Sequence, residues 1–109
     1  MVDETDANPI DNVKKHIIQN IGDELTLNGL AERFHFSPGY LSRYFKKLTG
    51  KPIIDFINEC RIQLAAQLLK DTDMTVAIIS EKVGFGNHSY FIKKFREHMG
   101  VTPKEYRRK

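Results

Sequence analysis

Apolar residues recur three and four positions apart along most of the chain, which is the spacing of amphipathic helices. In the segment that begins at Pro9, for example, Ile10, Val13, Ile17 and Ile21 fall on one face of a helix. No segment shows the alternation of apolar and polar residues that is typical of a strand. The pattern therefore predicts an all-α fold with seven helices, at 9–21, 26–34, 37–50, 52–70, 75–83, 87–100 and 102–108.

Residues that favour helix ends stand at the boundaries of these segments. Small hydroxyl residues suit the N-cap, proline suits the first turn, and glycine suits the C-terminal end. Glu105 follows Thr102 at the spacing of a capping box. The other predicted boundary residues are the caps Thr26 and Ser37, the first-turn prolines Pro9, Pro38 and Pro103, and the terminating Gly50.

The chain contains an internal repeat. Residues 26–36 align with 75–85 at an offset of 49, and after one extra residue in the turn, 40–50 align with 90–100 at an offset of 50. Each copy reads as a helix, a turn and a second helix, the arrangement of a helix-turn-helix. Matched positions include Thr26 with Thr75, Phe36 with Phe85, Tyr40 with Tyr90, Arg43 with Lys93, Phe45 with Phe95 and Gly50 with Gly100.

The repeat predicts two helix-turn-helix subdomains, at 9–50 and 74–109, joined by a long central helix at 52–70. Apolar residues cover more than one face of that central helix, so we expect it to pack on both subdomains. We therefore do not expect the central helix to act as a flexible linker between the subdomains. The acidic residues 1–8 are expected to form a flexible lead-in.

A helical wheel divides the second helix of each copy into an apolar and a polar side. Leu41, Phe45 and Leu48 lie on the apolar side of the first copy. In the second copy Phe91, Phe95 and His98 do so, which predicts a packed His98. The opposite sides carry Gly39, Ser42, Arg43 and Lys46, and Ser89, Ile92, Lys93 and Arg96, with His88 in the first turn.

Those opposite sides have the chemistry of DNA recognition. Hydroxyl, guanidinium and ammonium groups can bond base edges or phosphates, and an exposed isoleucine can meet a thymine methyl group. A charged helix surface is more often simply a solvated face, but two matching faces in a duplicated helix-turn-helix favour DNA binding.

Charge supports the same interpretation. The net charge is +3, but four of the 14 acidic residues precede residue 12, which leaves 17 basic residues against 10 acidic ones. A small domain with a net charge of +7 favours an anionic partner, with nucleic acid ahead of a membrane surface. The alternative is a helical protein-interaction module whose basic surface meets an acidic partner.

Other chemistry has little support in the sequence. The four histidines (16, 35, 88 and 98) lack the paired spacing of a metal site, so we expect neither metal nor cofactor. No nucleophile and base are arranged for catalysis, so we expect no enzyme activity. Cys60 is expected to be a small core residue, and Arg61 to form a structural salt bridge between the subdomains. With no long apolar run or export leader, we expect a cytoplasmic protein with no membrane partner.

The segments "GFGNHSYFIKKFREHMGVTPKEYRR", "LAERFHFSPGYLSRYFKKLTGK" and "RIQLAAQLL" resemble the DNA-binding domain of the AraC/XylS family of bacterial transcription regulators. The resemblance covers about residues 12–108. It implies two recognition helices, at about 37–49 and 87–99, that enter successive major grooves of double-stranded DNA. It also implies RNA polymerase and a separate sensing or dimerising domain as candidate partners.

The resemblance and the wheel together give the candidate site residues. Gly39 departs from the family pattern because it offers no side chain for a contact that a larger residue could make. Candidate base contacts are Gly39, Ser42, Arg43, His88, Ser89, Ile92 and Lys93; candidate phosphate contacts are Lys46, Lys47, Lys94 and Arg96; candidate core residues are Leu41, Phe45, Phe85, Phe91, Phe95 and Tyr106.

Overall fold

A computed structural model of the chain describes residues 8–109. The described part contains seven helices and no strand, which confirms the all-α prediction. The helices are α1 (Pro9–Gln19), α2 (Leu27–Arg33), α3 (Pro38–Thr49), α4 (Ile53–Asp71), α5 (Val76–Lys82), α6 (His88–Met99) and α7 (Pro103–Arg108). No helix within residues 8–109 is long and apolar enough to cross a membrane.

The helix ends have the predicted caps. The hydroxyl oxygen of Thr26 accepts a hydrogen bond from the amide of Gly29 at 3.0 Å, and that of Ser37 accepts from Tyr40 at 3.2 Å. Thr102 and Glu105 form the predicted capping box at the start of α7. Gly50 ends α3 in a left-handed conformation with φ 83°. Local sequence chemistry therefore determines where most of the helices begin and end.

The start and end of α1 differ from the prediction. Residues 1–7 of the expected lead-in lie outside the described residues, and Asn8 belongs to the helix as its N-cap. Ile21 was expected on the apolar face of α1, but the helix ends at Gln19. The side-chain amide of Asn20 donates a hydrogen bond to the backbone carbonyl of His16 at 2.8 Å. This bond caps the C-terminal end of α1, so Ile21 lies beyond the helix.

The chain divides into two compact units whose boundary falls within α4. The described part of the first unit comprises residues 8–20 and 25–57. Its helices α1, α2 and α3 and the start of α4 supply the buried side chains. Phe45 packs against Phe56 with ring centroids 5.5 Å apart. The buried apolar residues of this unit are Ile10, Val13, Ile17, Leu30, Ala31, Leu41, Phe45, Ile53 and Ile57.

The second unit comprises residues 21–24 and 58–109. Its core combines the rest of α4 with α5 and α6, and half-buried Tyr106 of α7 packs against it. The rings of Phe95 and Tyr106 lie 5.6 Å apart. Arg107 secures α7 by donating to the carbonyls of Leu69 and Thr72 at 3.0 and 3.1 Å. The buried residues of this core are Ile62, Ala65, Ala66, Leu69, Ile79, Val83, Phe85, Phe91 and Phe95.

The last turns of α3 and α6 are more exposed than the wheel predicted. Leu48 is 46% exposed, and His98 is exposed, so the prediction of a packed histidine is wrong. The preceding helices α2 and α5 have seven residues each, whereas α3 and α6 have 12. A helical wheel assigns a residue to one side of its helix, but it does not tell whether a neighbouring helix covers that part of the side.

Candidate nucleic-acid interface

The first part of the turn that precedes each recognition helix has the same hydrogen bond in both copies. The amide of Phe36 donates to the carbonyl of Ala31 at 2.8 Å, and the amide of Phe85 donates to that of Ser80 at 3.0 Å. One residue earlier, His35 and Gly84 both have positive φ values, of 64° and 98°. The chain therefore leaves α2 and α5 in the same way, and the second turn has one more residue before its recognition helix.

In the first unit, α3 has a buried side and an exposed basic side. Leu41 and Phe45 are fully buried. Of the candidate base contacts on this helix, Gly39 and Arg43 are exposed and Ser42 is half-buried. The candidate phosphate contacts Lys46 and Lys47 are also exposed.

Sequence reasoning missed an aromatic row beside Arg43. The rings of Tyr40 and Tyr44 stack with centroids 5.4 Å apart and planes inclined by 28°, and Phe36 lies 5.4 Å from Tyr40. Tyr40, Arg43, Tyr44 and Lys47 line a groove of about 240 Å³. The signal was present as two tyrosines four residues apart, a spacing that brings side chains together on a helix.

In the second unit, the outward side of α6 forms a larger surface. Ser89 and Lys93 are exposed, Ile92 is half-buried, and Arg96 is exposed. These four side chains line one groove of about 440 Å³ together with Glu97 and Thr102. Exposed His88 lies in an adjoining groove of about 360 Å³ with Val76, Ile92, Thr102, Pro103 and Lys104. The structure thus gathers the candidate residues of α6 onto connected surfaces.

Lys94 makes interactions within its own helix. Its ammonium lies 3.2 Å from the carboxylate of Glu97 and 5.5 Å from the centre of the Tyr90 ring. Glu97 aligns with Lys47 of the first copy. The recognition face of α6 is consequently less basic than that of α3.

A buried amide connects α4 to the recognition helix of the second unit. Asn58 is only 7% exposed, and its amide nitrogen donates to the hydroxyl of Tyr90 at 3.2 Å. Because Tyr90 lies in the first turn of α6, this bond fixes the start of the helix. The sequence signal was a polar residue within the apolar part of α4.

Arg61 does not form the salt bridge that the sequence suggested. Its guanidinium donates to the backbone carbonyls of Ile21 and Asp23 at 3.2 and 2.9 Å and lies 5.8 Å from the centre of the Phe85 ring. All four residues belong to the second unit. Burial lowers the pKa of the Arg61 guanidinium from its ordinary value. Its role is to hold the loop 21–24 against the helix-turn-helix.

Among residues 8–109, no cluster of three or more His, Cys, Asp or Glu side chains could hold a metal ion. Cys60, which was expected in the core, is half-buried. The ring of His16 packs edge-on against Phe34 at 5.7 Å.

A family model described as a helix-turn-helix domain matches residues 30–109. The C-terminal domain of the two-component response regulator YesN from Fusobacterium nucleatum subsp. nucleatum has 38% sequence identity and a TM-score of 0.85, over 89% of this chain and 95% of that one. The DNA-binding domain of the global transcriptional factor AdpA, solved in complex with a target DNA, has 25% sequence identity and a TM-score of 0.88. The match covers 93% of this chain and 91% of that domain's chain.

Curated proteins give the same result. The uncharacterized HTH-type transcriptional regulator YtdP of Bacillus subtilis is 38% identical over 97 residues, which cover 89% of this chain and 13% of that protein. The chain spans less than half the length of the first curated relatives it matches. Solved AraC-type regulators also share the fold. The chain belongs to the AraC-type helix-turn-helix family, the DNA-binding domains of transcription regulators.

Proposed function

We propose that the chain binds double-stranded DNA sequence-specifically through α3 and α6, each entering one of two successive major grooves. The observation that carries the proposal is the pair of matching outward faces on equivalent helices. Both faces carry exposed cations at equivalent positions, Arg43 and Lys46 on α3 and Lys93 and Arg96 on α6, and each helix also has a serine. Base edges in the major groove offer acceptors and donors to such groups.

The two faces differ in the contacts that they can make. The planar guanidinium of Arg43 suits bidentate bonding to guanine, whereas the ammonium of Lys93 acts as a compact charge. Ile92 gives the second face an apolar group for a thymine methyl, and Gly39 and His88 complete the proposed base-reading set. Lys46, Lys47, Lys94 and Arg96 are the proposed phosphate contacts.

We further propose that this domain acts within a longer cytoplasmic regulator. The small share of the relatives' length that it spans supports this proposal. A separate sensing or dimerising domain would then supply the regulatory signal. RNA polymerase is the proposed partner at promoters, and the DNA-binding step itself requires no cofactor.

Salt dependence of binding to a selected duplex tests the proposed function. A preferred site is first selected from random duplexes. Log affinity should then fall with log salt by about 0.9 for each phosphate contact, and affinity for unrelated duplexes should be roughly 10⁻⁴ to 10⁻⁶ M at physiological salt. Binding that is unchanged between low and moderate salt would contradict the proposal and favour a protein-interaction module.

A matched pair of double variants separates the proposed surface from overall charge. Arg43→Ala with Lys93→Ala removes two positive charges from the outward faces of α3 and α6. Lys15→Ala with Lys109→Ala removes the same charge from an exposed position of α1 and from the exposed residue 109. We expect the first pair to abolish preference for the selected site and the second to preserve it. Equal losses in both pairs would contradict the assignment of these faces.

A further inference from the structure

We infer that Gly39 is a specificity-determining residue that acts by positioning Arg43. The absence of a side chain at position 39 lets the Arg43 guanidinium lie across the first turn of α3. Arg43 then reads the base pair that a side chain at position 39 would otherwise contact. This inference rests on the proposed function and deepens it.

The geometry of the first turn carries the inference. A Cβ atom built on Gly39 would lie 3.3 Å from Nη1 of Arg43, closer than ordinary van der Waals contact. The two residues are four positions apart, and long helical side chains lean toward the N-terminus over the preceding turn. The guanidinium therefore lies against the position that a Cβ would take, and a side chain there would displace it by a few tenths of an ångström.

The aromatic row bounds Arg43 on the other side. Arg43 shares its groove with Tyr40 and Tyr44, whose rings stack 5.4 Å apart. On a helical wheel these tyrosines lie on the side of Arg43 opposite to Gly39. Stacked rings on one side and open backbone on the other favour the conformation that points the guanidinium toward the start of α3. The N-terminal residues of a recognition helix are those that contact base edges.

The second copy lacks this arrangement. Ser89 and Lys93 occupy the positions that match Gly39 and Arg43, so α6 offers two separate side chains where α3 offers one. Helix stability does not explain the glycine, because alanine is the better helix former. The first unit should consequently concentrate its base preference on the Arg43 guanidinium.

A double-mutant cycle tests the inference, with affinities measured for four duplexes that differ at one base pair of the selected first half-site. The wild-type chain should prefer guanine there by about 5- to 100-fold. Gly39→Ala should lower this preference at least about 5-fold without lowering the melting temperature. In the Arg43→Ala background, the same change should have no further effect. Gly86→Ala, a glycine with no atom within 4 Å of an added Cβ, is the control and should keep the preference.

Two results would overturn the inference. One is an unchanged guanine preference in Gly39→Ala. The other is an equal loss of affinity from Gly39→Ala with and without Arg43, which would mean that the glycine backbone itself approaches the DNA. If the wild-type chain prefers no duplex at all, the proposed function fails first, and that outcome is visible before any variant is compared.

Discussion

At the scale of single residues, the two copies place different residues at the same left-handed position. His35 has a φ of 64° and is exposed, whereas the equivalent Gly84 has a φ of 98°. A Cβ on Gly84 would lie 2.6 Å from the carbonyl oxygen of Ile21 and 2.8 Å from Nε of Arg61. The second turn therefore requires glycine for space as well as for conformation, while the first tolerates a side chain.

This difference predicts opposite effects at equivalent positions. Gly84→Ala should destabilise the protein by more than about 2 kcal/mol, because backbone strain and a clash with the backbone of loop 21–24 combine. His35→Gly should be neutral or stabilise it by up to about 1 kcal/mol, because it relieves a left-handed conformation. Urea unfolding measures both. A loss from Gly84→Ala no larger than that from Gly86→Ala would contradict the close approach.

Arg43 and Lys47 line the same groove but should contribute differently to DNA binding. Arg43→Ala should weaken binding to the preferred duplex by about 1 to 3 kcal/mol and relax the choice of one base pair. Lys47→Ala should weaken binding to all duplexes similarly. It should also reduce the slope of log affinity against log salt by about 1, the loss of one phosphate contact. Titrations with preferred and random duplexes distinguish the two. If both variants lower the affinity by the same factor for the preferred and the random duplex, Arg43 does not read bases.

Residue periodicity predicted which side chains of α3 and α6 are buried in the helix middles, but not at their ends. Leu48 and His98 have the right spacing, yet periodicity does not record whether a neighbouring helix covers them. The partners of Arg61 were also unpredictable, because they are backbone carbonyls some 40 positions away. Such contacts depend on the folded path of the chain rather than on a residue type.

At the scale of elements, the capping residues made the ends of most helices predictable. Thr26 and Thr75 accept bonds from the amides three residues on, at 3.0 and 3.1 Å, and so begin α2 and α5 in the same way. Gly50 and Gly100 end α3 and α6 with φ values of 83° and 81°. These features are local, which is why the sequence alone located them. The end of α1 was missed because the side chain of Asn20 caps it without a glycine signal.

The capping box of α7 predicts a pH dependence of stability. The amide of Thr102 donates to the Glu105 carboxylate at 2.9 Å and its hydroxyl donates at 3.1 Å, and together they lower the pKa of that carboxyl. A pKa that is lower in the folded state contributes stability that is present above the ordinary value of a free glutamate. That contribution is lost as the pH falls through the folded value.

Glu105→Gln should therefore remove part of the decrease in folding stability that acid causes in the second unit. The difference in urea midpoint between wild type and this variant should be largest near neutral pH and shrink as the pH falls below about 4.5. Glu81→Gln, a change at an exposed position of α5, controls for the removal of one negative charge. A wild-type advantage that stays constant from neutral pH to pH 3 would contradict the role of the carboxylate in the cap.

At the scale of the whole molecule, α4 contributes to the cores of both units. Ile53 and Ile57 are buried in the first unit, and Ile62 and Leu69 are buried in the second. The helix has 19 residues and is therefore roughly 28 Å long. We propose that the chain reads its two half-sites at one preferred spacing.

The central claim is that one chain reads two half-sites in successive major grooves, and changing the spacing of those half-sites tests it most directly. Because the two recognition faces differ, the preferred site should be asymmetric, with half-sites about 10 bp apart. Gel shifts with the purified chain should compare this site with versions that carry about 5 or about 10 additional base pairs between the half-sites. Both insertions should reduce the affinity to that of a single half-site. Full affinity for the site with about 10 additional base pairs would contradict a single preferred spacing of the half-sites. Insensitivity to both insertions would contradict reading by two helices.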